Sequence, residues 1–343
     1  MTGMASISVV TPTLHRPKEV LGLFHNLSQQ TVLPSEIILV DGADHTERAT
    51  EKAVISTAPV LPYRCRHMRH SGGTAIQRNV GIDAASGDFI AFVDDDIRLE
   101  PDFFEVMMEA FWQDGKSRVG GMAGYITNAY LDPSKSSRWQ WYRRLRLFTT
   151  YEPGRYDFGT GSPINRYLQP PHSGLRKIDF MGAGCAVWRK AVFENGLRFS
   201  RFFTGYGILE DAHLALRAGR DWMLLENGRA RCVHLKSPVA RTRGREHAKT
   251  AALNHRYVFV DIVPNRTWTQ EFRFWRLQFF DLFRFFIHAL RHEGREDWLS
   301  VLGKLEGIIA AFRLRHDSNR HEEGTVRAGP LDSHACPVDG GLP

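Results

Sequence analysis

The sequence predicts an α/β fold: a mostly parallel sheet flanked by helices, with a helical C-terminal extension. Three observations predict it. Aliphatic, β-branched runs alternate with helix-like stretches through the first third of the chain. The strand-like runs end in polar residues at Thr11, Asp41 and Asp94. Residues 268–315 are rich in aromatics at helical spacing.

Residues 7–10 form a short β-branched run, stopped by Thr11-Pro12-Thr13. Pro17 opens a helix to residue 30, with Val20, Leu23, Phe24 and Leu27 at i, i+3, i+4 and i+7. A second strand over 36–40 ends at Asp41-Gly42, and a third is expected over 63–68. A helix over 73–85 precedes the turn Ser86-Gly87-Asp88. The buried strand that follows, Phe89 onward, runs into Asp94-Asp95-Asp96. Pro101 sits in the first turn of a helix over 101–112. Residues 127–176 read as an irregular insertion, with strands again at 178–180, 185–188, 221–225 and 231–234. In such sheets, ligands bind beyond the carboxyl ends of the strands. The polar strand ends would therefore converge on one crevice.

Composition sets wide limits. The 343 residues are 43% hydrophobic and 24% charged, with a formal net charge of +7. A basic balance favours anionic partners without choosing among them. Cys65, Cys185, Cys232 and Cys336 form no CxxC pair. This argues against a zinc or dithiol motif and for a reducing cytoplasm. The first residues lack the pattern of a signal peptide, and the longest apolar stretch, 277–290, is broken by Asp281 and Arg284.

The acidic run carries the chemistry. Carboxylates brought near a core require partners. On an ideal strand, Asp94 and Asp96 share one face and Asp95 the other. Two carboxylates on one face suit a hard divalent cation, Mg²⁺ or Mn²⁺, which commonly joins protein carboxylates to substrate phosphates. A solvated acidic turn is the plain alternative.

Further motifs lie on either side: Val9-Val10-Thr11-Pro12-Thr13 with Arg16-Pro17, Ile38-Leu39-Val40-Asp41, and Arg78-Asn79-x-Gly81. Downstream stand Glu210-Asp211-x-x-Leu214-x-x-Arg217 and His234. In this order the sequence, over residues 6–236, resembles the family 2 glycosyltransferases, which have the GT-A fold. The resemblance implies an inverting transfer of sugar from a nucleoside diphosphate, uridine or thymidine favoured, to an acceptor hydroxyl in glycan or glycolipid synthesis. It implies that Thr11, Pro12 and Asp41 meet the nucleotide base, Thr11 and Pro12 through backbone contacts. By the same resemblance Arg78 lies near the nucleotide, Asp94 meets the ribose, and Asp96, joined by His234, binds the metal. Asp95 is expected to touch the nucleotide, and Arg16 to face a phosphate or open a helix in solvent. Asp211, with Glu210 beside it, takes the role of general base. The acceptor implied is a glycan, a lipid-linked molecule or a small molecule.

The expected organisation is a catalytic domain over 1–260, an amphipathic aromatic extension over 261–316, and a disordered tail over 317–343. The basic residues Lys236, Arg241, Arg243 and Arg245 read as a loop able to close over a diphosphate. Trp139-Gln140-Trp141-Tyr142-Arg143-Arg144-Leu145-Arg146 mixes aromatics with cations, but no nucleic-acid motif accompanies it. Phe272, Trp275, Phe279, Phe283 and Phe286 form one apolar stripe flanked by arginines. That stripe suits packing on the catalytic domain, a dimer contact, or the interface of a membrane, the last making the protein peripheral. Two rival readings are a nucleotide-sugar-binding subunit without catalysis and a metal-dependent phosphohydrolase.

Overall fold

The computed structural model describes residues 5–205, 207–237, 244–292 and 294–314. The chain runs β1 (Ile7–Thr13), α1 (Pro17–Ser28), β2 (Glu36–Asp41), α2 (Ala49–Thr57), β3 (Arg64–Arg69), α3 (Thr74–Ala84), β4 (Phe89–Val93), β5 (Ile97–Leu99), α4 (Phe103–Gln113) and β6 (Val119–Ile126). It continues through α5 (Ser137–Arg144), β7 (Tyr156–Asp157), β8 (Ser162–Pro163), β9 (Leu175–Lys177), β10 (Cys185–Arg189), α6 (Ala191–Glu194), α7 (Glu210–Ala218) and β11 (Met223–His234). Three long helices follow: α8 (Gly244–Ile262), α9 (Trp268–His292) and α10 (Arg295–Arg313).

One mixed sheet organises the molecule, in the order β3-β2-β1-β4-β10-β6-β11-β5, with β9 also paired to β11. Its N-terminal half, β3 to β4, is parallel as the alternating pattern predicts. Beyond β4 the sheet mixes directions, because β10 runs antiparallel to both β4 and β6. The strand alternation sorts the core. Ile37, Leu39, Ala91 and Val93 pack on one side with α1 and α4, while Ile38, Val40, Ile90 and Phe92 pack on the other with α3 and α7. Gly81 brings α3 hard against the sheet, since a Cβ there would lie 2.1 Å from Val10 Cγ1.

Several local readings shift. The strands expected at 221–225 and 231–234 are one long β11 with an irregularity between Asn227 and Arg231. The strand expected at 178–180 lies instead at β9. The stretch 127–176 is not wholly irregular: α5 packs there, and Trp139, Tyr142, Leu147, Phe148 and Ile164 form a small core that takes in Leu277 of α9. Of the expected basic loop, Arg245 lies not in a loop but in the first turn of α8, which starts at Gly244. Arg241, Arg243 and the expected tail at 317–343 lie outside the described residues.

The C-terminal helices are tied to the sheet layer by named contacts. His213 of α7 meets Asp261 of α8 at 2.9 Å, and Asn254 of α8 donates to the Ile208 carbonyl at 2.8 Å. Phe259 of α8 stacks on Phe274 of α9, with centroids 5.0 Å apart.

Candidate active site

Beyond the carboxyl ends of β1 and β4 opens a cavity of about 190 Å³. Pro12, Arg16, Thr74, Arg78, Asp94, Asp95, Asp96, Glu210, Asp211 and His234 are among its lining residues. The crevice lies where β1 separates β2 from β4, the position at which open α/β sheets bind ligands.

The acidic run does not continue as an ideal strand. The Ile97 N–H donates to the Asp94 carbonyl at 3.1 Å, closing a turn that fans the three carboxylates apart. Asp94 turns toward α3 and accepts from Arg78 Nη2 at 2.9 Å. Asp95 turns toward α1 and accepts from Thr13 Oγ1 at 2.7 Å and Arg16 Nη1 at 2.8 Å. Burial pushes its carboxyl up to about 6, despite Arg16 and Thr13. Asp96 turns toward the end of β11, with Oδ1 3.1 Å from His234 Nε2, and accepts from the Ser237 N–H at 3.0 Å. Burial works against its ionised form. The hydrogen bond and charge of His234, the Arg16 charge and the Ser237 N–H outweigh that cost and hold it at about 2. The expected pairing of Asp94 and Asp96 on one face therefore fails, because alternation holds only while the backbone stays extended.

Arg78 ties the two halves of the site together. Its Nη1 donates to Glu210 Oε1 at 2.8 Å while Nη2 holds Asp94, and its side chain is only 5% exposed. The planar fork suits this double contact. Glu210 opens α7, and Leu209 before it has φ 69°, a left-handed conformation that leucine rarely adopts. Such strain persists where surrounding contacts over-determine it. Here it aims the first turn of α7 at the cavity.

Asp211 accepts from the Ala212 N–H at 2.7 Å and the Ala183 N–H at 3.3 Å, and it lines the cavity. Burial and repulsion from Glu210 push it up to about 7, against the pull of Arg78. The loop before α7 is clasped onto α3. Gly73, at φ 92°, lies so near Gly205 that a Cβ would come within 2.2 Å of its carbonyl oxygen. Thr74 Oγ1 receives the Gly207 N–H at 3.3 Å and donates to Glu210 at 3.4 Å. Thr74, Gly184 and Leu209 line the cavity but drew no sequence-based expectation.

Thr11 and Asp41 are not brought to the cavity. Thr11 is fully buried and donates to the Val93 carbonyl at 2.8 Å. Asp41 is also fully buried; Oδ1 accepts from the Ala43 N–H at 2.9 Å, and Oδ2 lies 3.4 Å from His67 Nε2. Its carboxylate thus serves the turn that ends β2, as aspartates do when they bond two residues on. Arg16 lines the cavity but is committed to Asp95, with Asp96 at 3.8 Å. Arg245, expected in a closing loop, pairs with Glu306 of α10.

The donor set fits a divalent cation. Five carboxylates line the cavity against the guanidinium groups of Arg16 and Arg78. Asp96 and His234 converge there as a carboxylate and an imidazole. Among the described residues no group of three or more His, Cys, Asp and Glu side chains is arranged to hold a metal ion, so the protein would offer this pair and the substrate's phosphates the remaining ligands.

The family model for "Glycosyl transferase family 2" matches residues 8–195, which include the acidic run, Arg78 and β10. The chain belongs to glycosyl transferase family 2. An uncharacterized glycosyltransferase of Bacillus subtilis (strain 168), YwdF, is 34% identical over 169 residues, covering 47% of this chain. The match spans only 59% of that relative's length. Two solved structures share the fold at 13% identity. One is GalNAc-T7 with UDP, GalNAc and Mn²⁺, with a TM-score of 0.58 over 81% of this chain and 51% of that one. The other is the mannosyltransferase PcManGT of Pyrobaculum calidifontis with GDP-Man and Mn²⁺, with a TM-score of 0.52 over 92% of this chain and 78% of that one. Membership of family 2 and this likeness establish a GT-A fold: a mixed sheet flanked by helices, with a helical C-terminal region.

Proposed function

We propose that the protein transfers a sugar from a nucleoside diphosphate donor, uridine or thymidine favoured, to an acceptor hydroxyl with inversion at the sugar. The observation that carries this reading is Asp211, a carboxylate in the same cavity as the acidic run whose affinity for a proton is raised to about 7. A base with its pKa near the working pH accepts a proton effectively while about half of it is still ionised. Asp211 takes the acceptor proton as the new glycosidic bond forms. Glu210 keeps Arg78 in place and raises the basicity of Asp211.

Asp96 and His234 would hold the cation, Mg²⁺ or Mn²⁺. When bound, it offsets negative charge on the departing diphosphate. Two structures of the same fold, solved with Mn²⁺ and a UDP or GDP-Man ligand, support this part of the reading. Asp94, a third exposed, is placed to meet the ribose. Asp95 and Arg16 form the floor beneath the diphosphate, and Pro12 offers its backbone to the nucleotide. The acceptor is a glycan, a lipid-linked molecule or a small molecule, and the reaction belongs on the cytoplasmic side.

A direct test incubates the protein with Mn²⁺ and uridine, thymidine or guanosine diphosphate sugars and measures nucleoside diphosphate release together with thermal shift. Stabilisation by one donor, with slow hydrolysis or transfer, is expected. Stabilisation without any release under any acceptor would replace the catalytic reading with a binding subunit.

A further inference from the structure

The α9–α10 pair presents an apolar face that the fold leaves open. Trp268, Phe272, Phe279 and Phe283 of α9 and Leu305 and Phe312 of α10 are 42–79% exposed. Between the two helices lies a shallow groove of about 330 Å³, lined only by Phe279, Leu282, Phe283, Phe286, Val301 and Leu305. Trp275 stacks on Phe312 with centroids 3.7 Å apart, so the two helices form one continuous surface. Soluble surfaces rarely carry so large an apolar patch without a partner.

The charge around the face selects the partner. On α9, the exposed Arg273 and Arg291 follow the edge of the aromatic stripe at helical spacing, with Arg284 between them paired to Asp281 at 3.3 Å. Arg276 donates to the Arg146 carbonyl at 2.7 Å, which brings the exposed Arg143, Arg144 and Arg146 beside that edge. Four of the helices' five carboxylates are drawn to partners, Glu271 to Arg256, Asp281 to Tyr142, Asp297 to His288 and Glu306 to Arg245, while Glu296 at the start of α10 is exposed. The result is an aromatic ridge with cations along its flank. No described helix is long and apolar enough to cross a membrane. A basic, aromatic amphipathic surface of this kind instead lies in the plane of a bilayer interface.

We propose that this face docks on an anionic lipid bilayer: the aromatic ridge enters the acyl boundary, the interhelical groove receives chain segments, and the arginines meet lipid phosphates. A second copy of the chain would offer the same arginine edge to itself, which makes the bilayer the better match. The proposal stands apart from the transfer reaction.

The test uses the full chain with vesicles of phosphatidylcholine alone or mixed with phosphatidylglycerol, read by co-sedimentation, with light scattering to report the oligomeric state. Binding to the mixed vesicles that weakens with added salt is expected. A Phe272→Ser/Phe279→Ser/Phe283→Ser variant, shown by circular dichroism to fold, should bind at least about tenfold more weakly. An Arg273→Gln/Arg291→Gln variant should lose the preference for anionic vesicles while keeping its fold. Three outcomes overturn the proposal: vesicle binding unchanged in the serine variant, no vesicle binding by the parent chain, or a stable dimer that the serine variant abolishes without any lipid binding.

Discussion

Two charge clusters on the same sheet have opposite balances. On β11, the fully buried Glu226 accepts from Arg166 at 2.6 Å and Arg176 at 2.6 Å, with His172 at 3.0 Å. Its one carboxylate is met by more cation than it needs. Burial would raise its pKa, but Arg166 and Arg176 hold it below the ordinary glutamate range. In the cleft the ratio is reversed: five carboxylates line it against the Arg16 and Arg78 guanidiniums. A saturated cluster is a structural fastening. A cluster left rich in carboxylate, beside an open cavity, is what the proposed function needs for a cation and a proton that come from outside.

Four experiments press on this contrast, the largest effect first. In the cleft, Asp211→Asn keeps the size and hydrogen-bonding reach of the side chain but removes the proposed base. Transfer should fall by roughly 10³-fold, with donor affinity nearly unchanged in a binding assay. Full turnover by that variant would remove Asp211 from the role of base. On β11, Glu226→Gln leaves two guanidiniums buried without their counter-charge. It should cost roughly 3–5 kcal/mol of stability, read by denaturant unfolding. If activity per folded molecule fell as well, the division between fastening and site would be wrong.

Asp96→Asn should weaken Mn²⁺-dependent diphosphate binding by about 10–100-fold, with little change in binding measured without the ion. An equal loss in both conditions would make Asp96 a structural partner of His234 alone. The smallest effect is on pH dependence. Because the Asp211 pKa is raised to about 7, its base form is lost as pH falls, so kcat/KM should decline below about pH 7. Stability runs the other way. A carboxyl whose folded pKa is raised above its unfolded value contributes stability at low pH that is lost as pH rises toward 7. Asp211→Asn should therefore raise Tm at pH 8 by roughly a few degrees, and by less at pH 4. A Tm difference that did not change with pH would place Asp211 in a less strained setting.

The parallel half of the fold and the polar strand ends were legible because they rest on short-range pattern. Elements that carry no such pattern were missed. β6 reads Val-Gly-Gly-Met-Ala-Gly-Tyr-Ile and is buried on both faces, so it neither alternates nor avoids glycine. The inner face of α8 includes Ala248 and Ala252, small residues that give a helix little apolar contrast. Within the site, the residues that hold others were the least legible: Thr74, which clasps the loop before α7, and Leu209, whose left-handed backbone no leucine announces.

By itself, the sequence determined where the strands end, that acids stand at those ends, and that Glu210-Asp211 and His234 follow in an order shared with a known family. These are properties of local pattern and of chain order. Only the tertiary structure decided how the acids are shared out. The turn after Asp94 sends one carboxylate to Arg78, one to Arg16 and one to His234. The fold brings Glu210 against Arg78 across 132 residues of chain. It also turns Asp41 inward and leaves the aromatic stripe of α9 in the open. Each of these depends on which groups share a low-dielectric space, and proximity of that kind is set by packing.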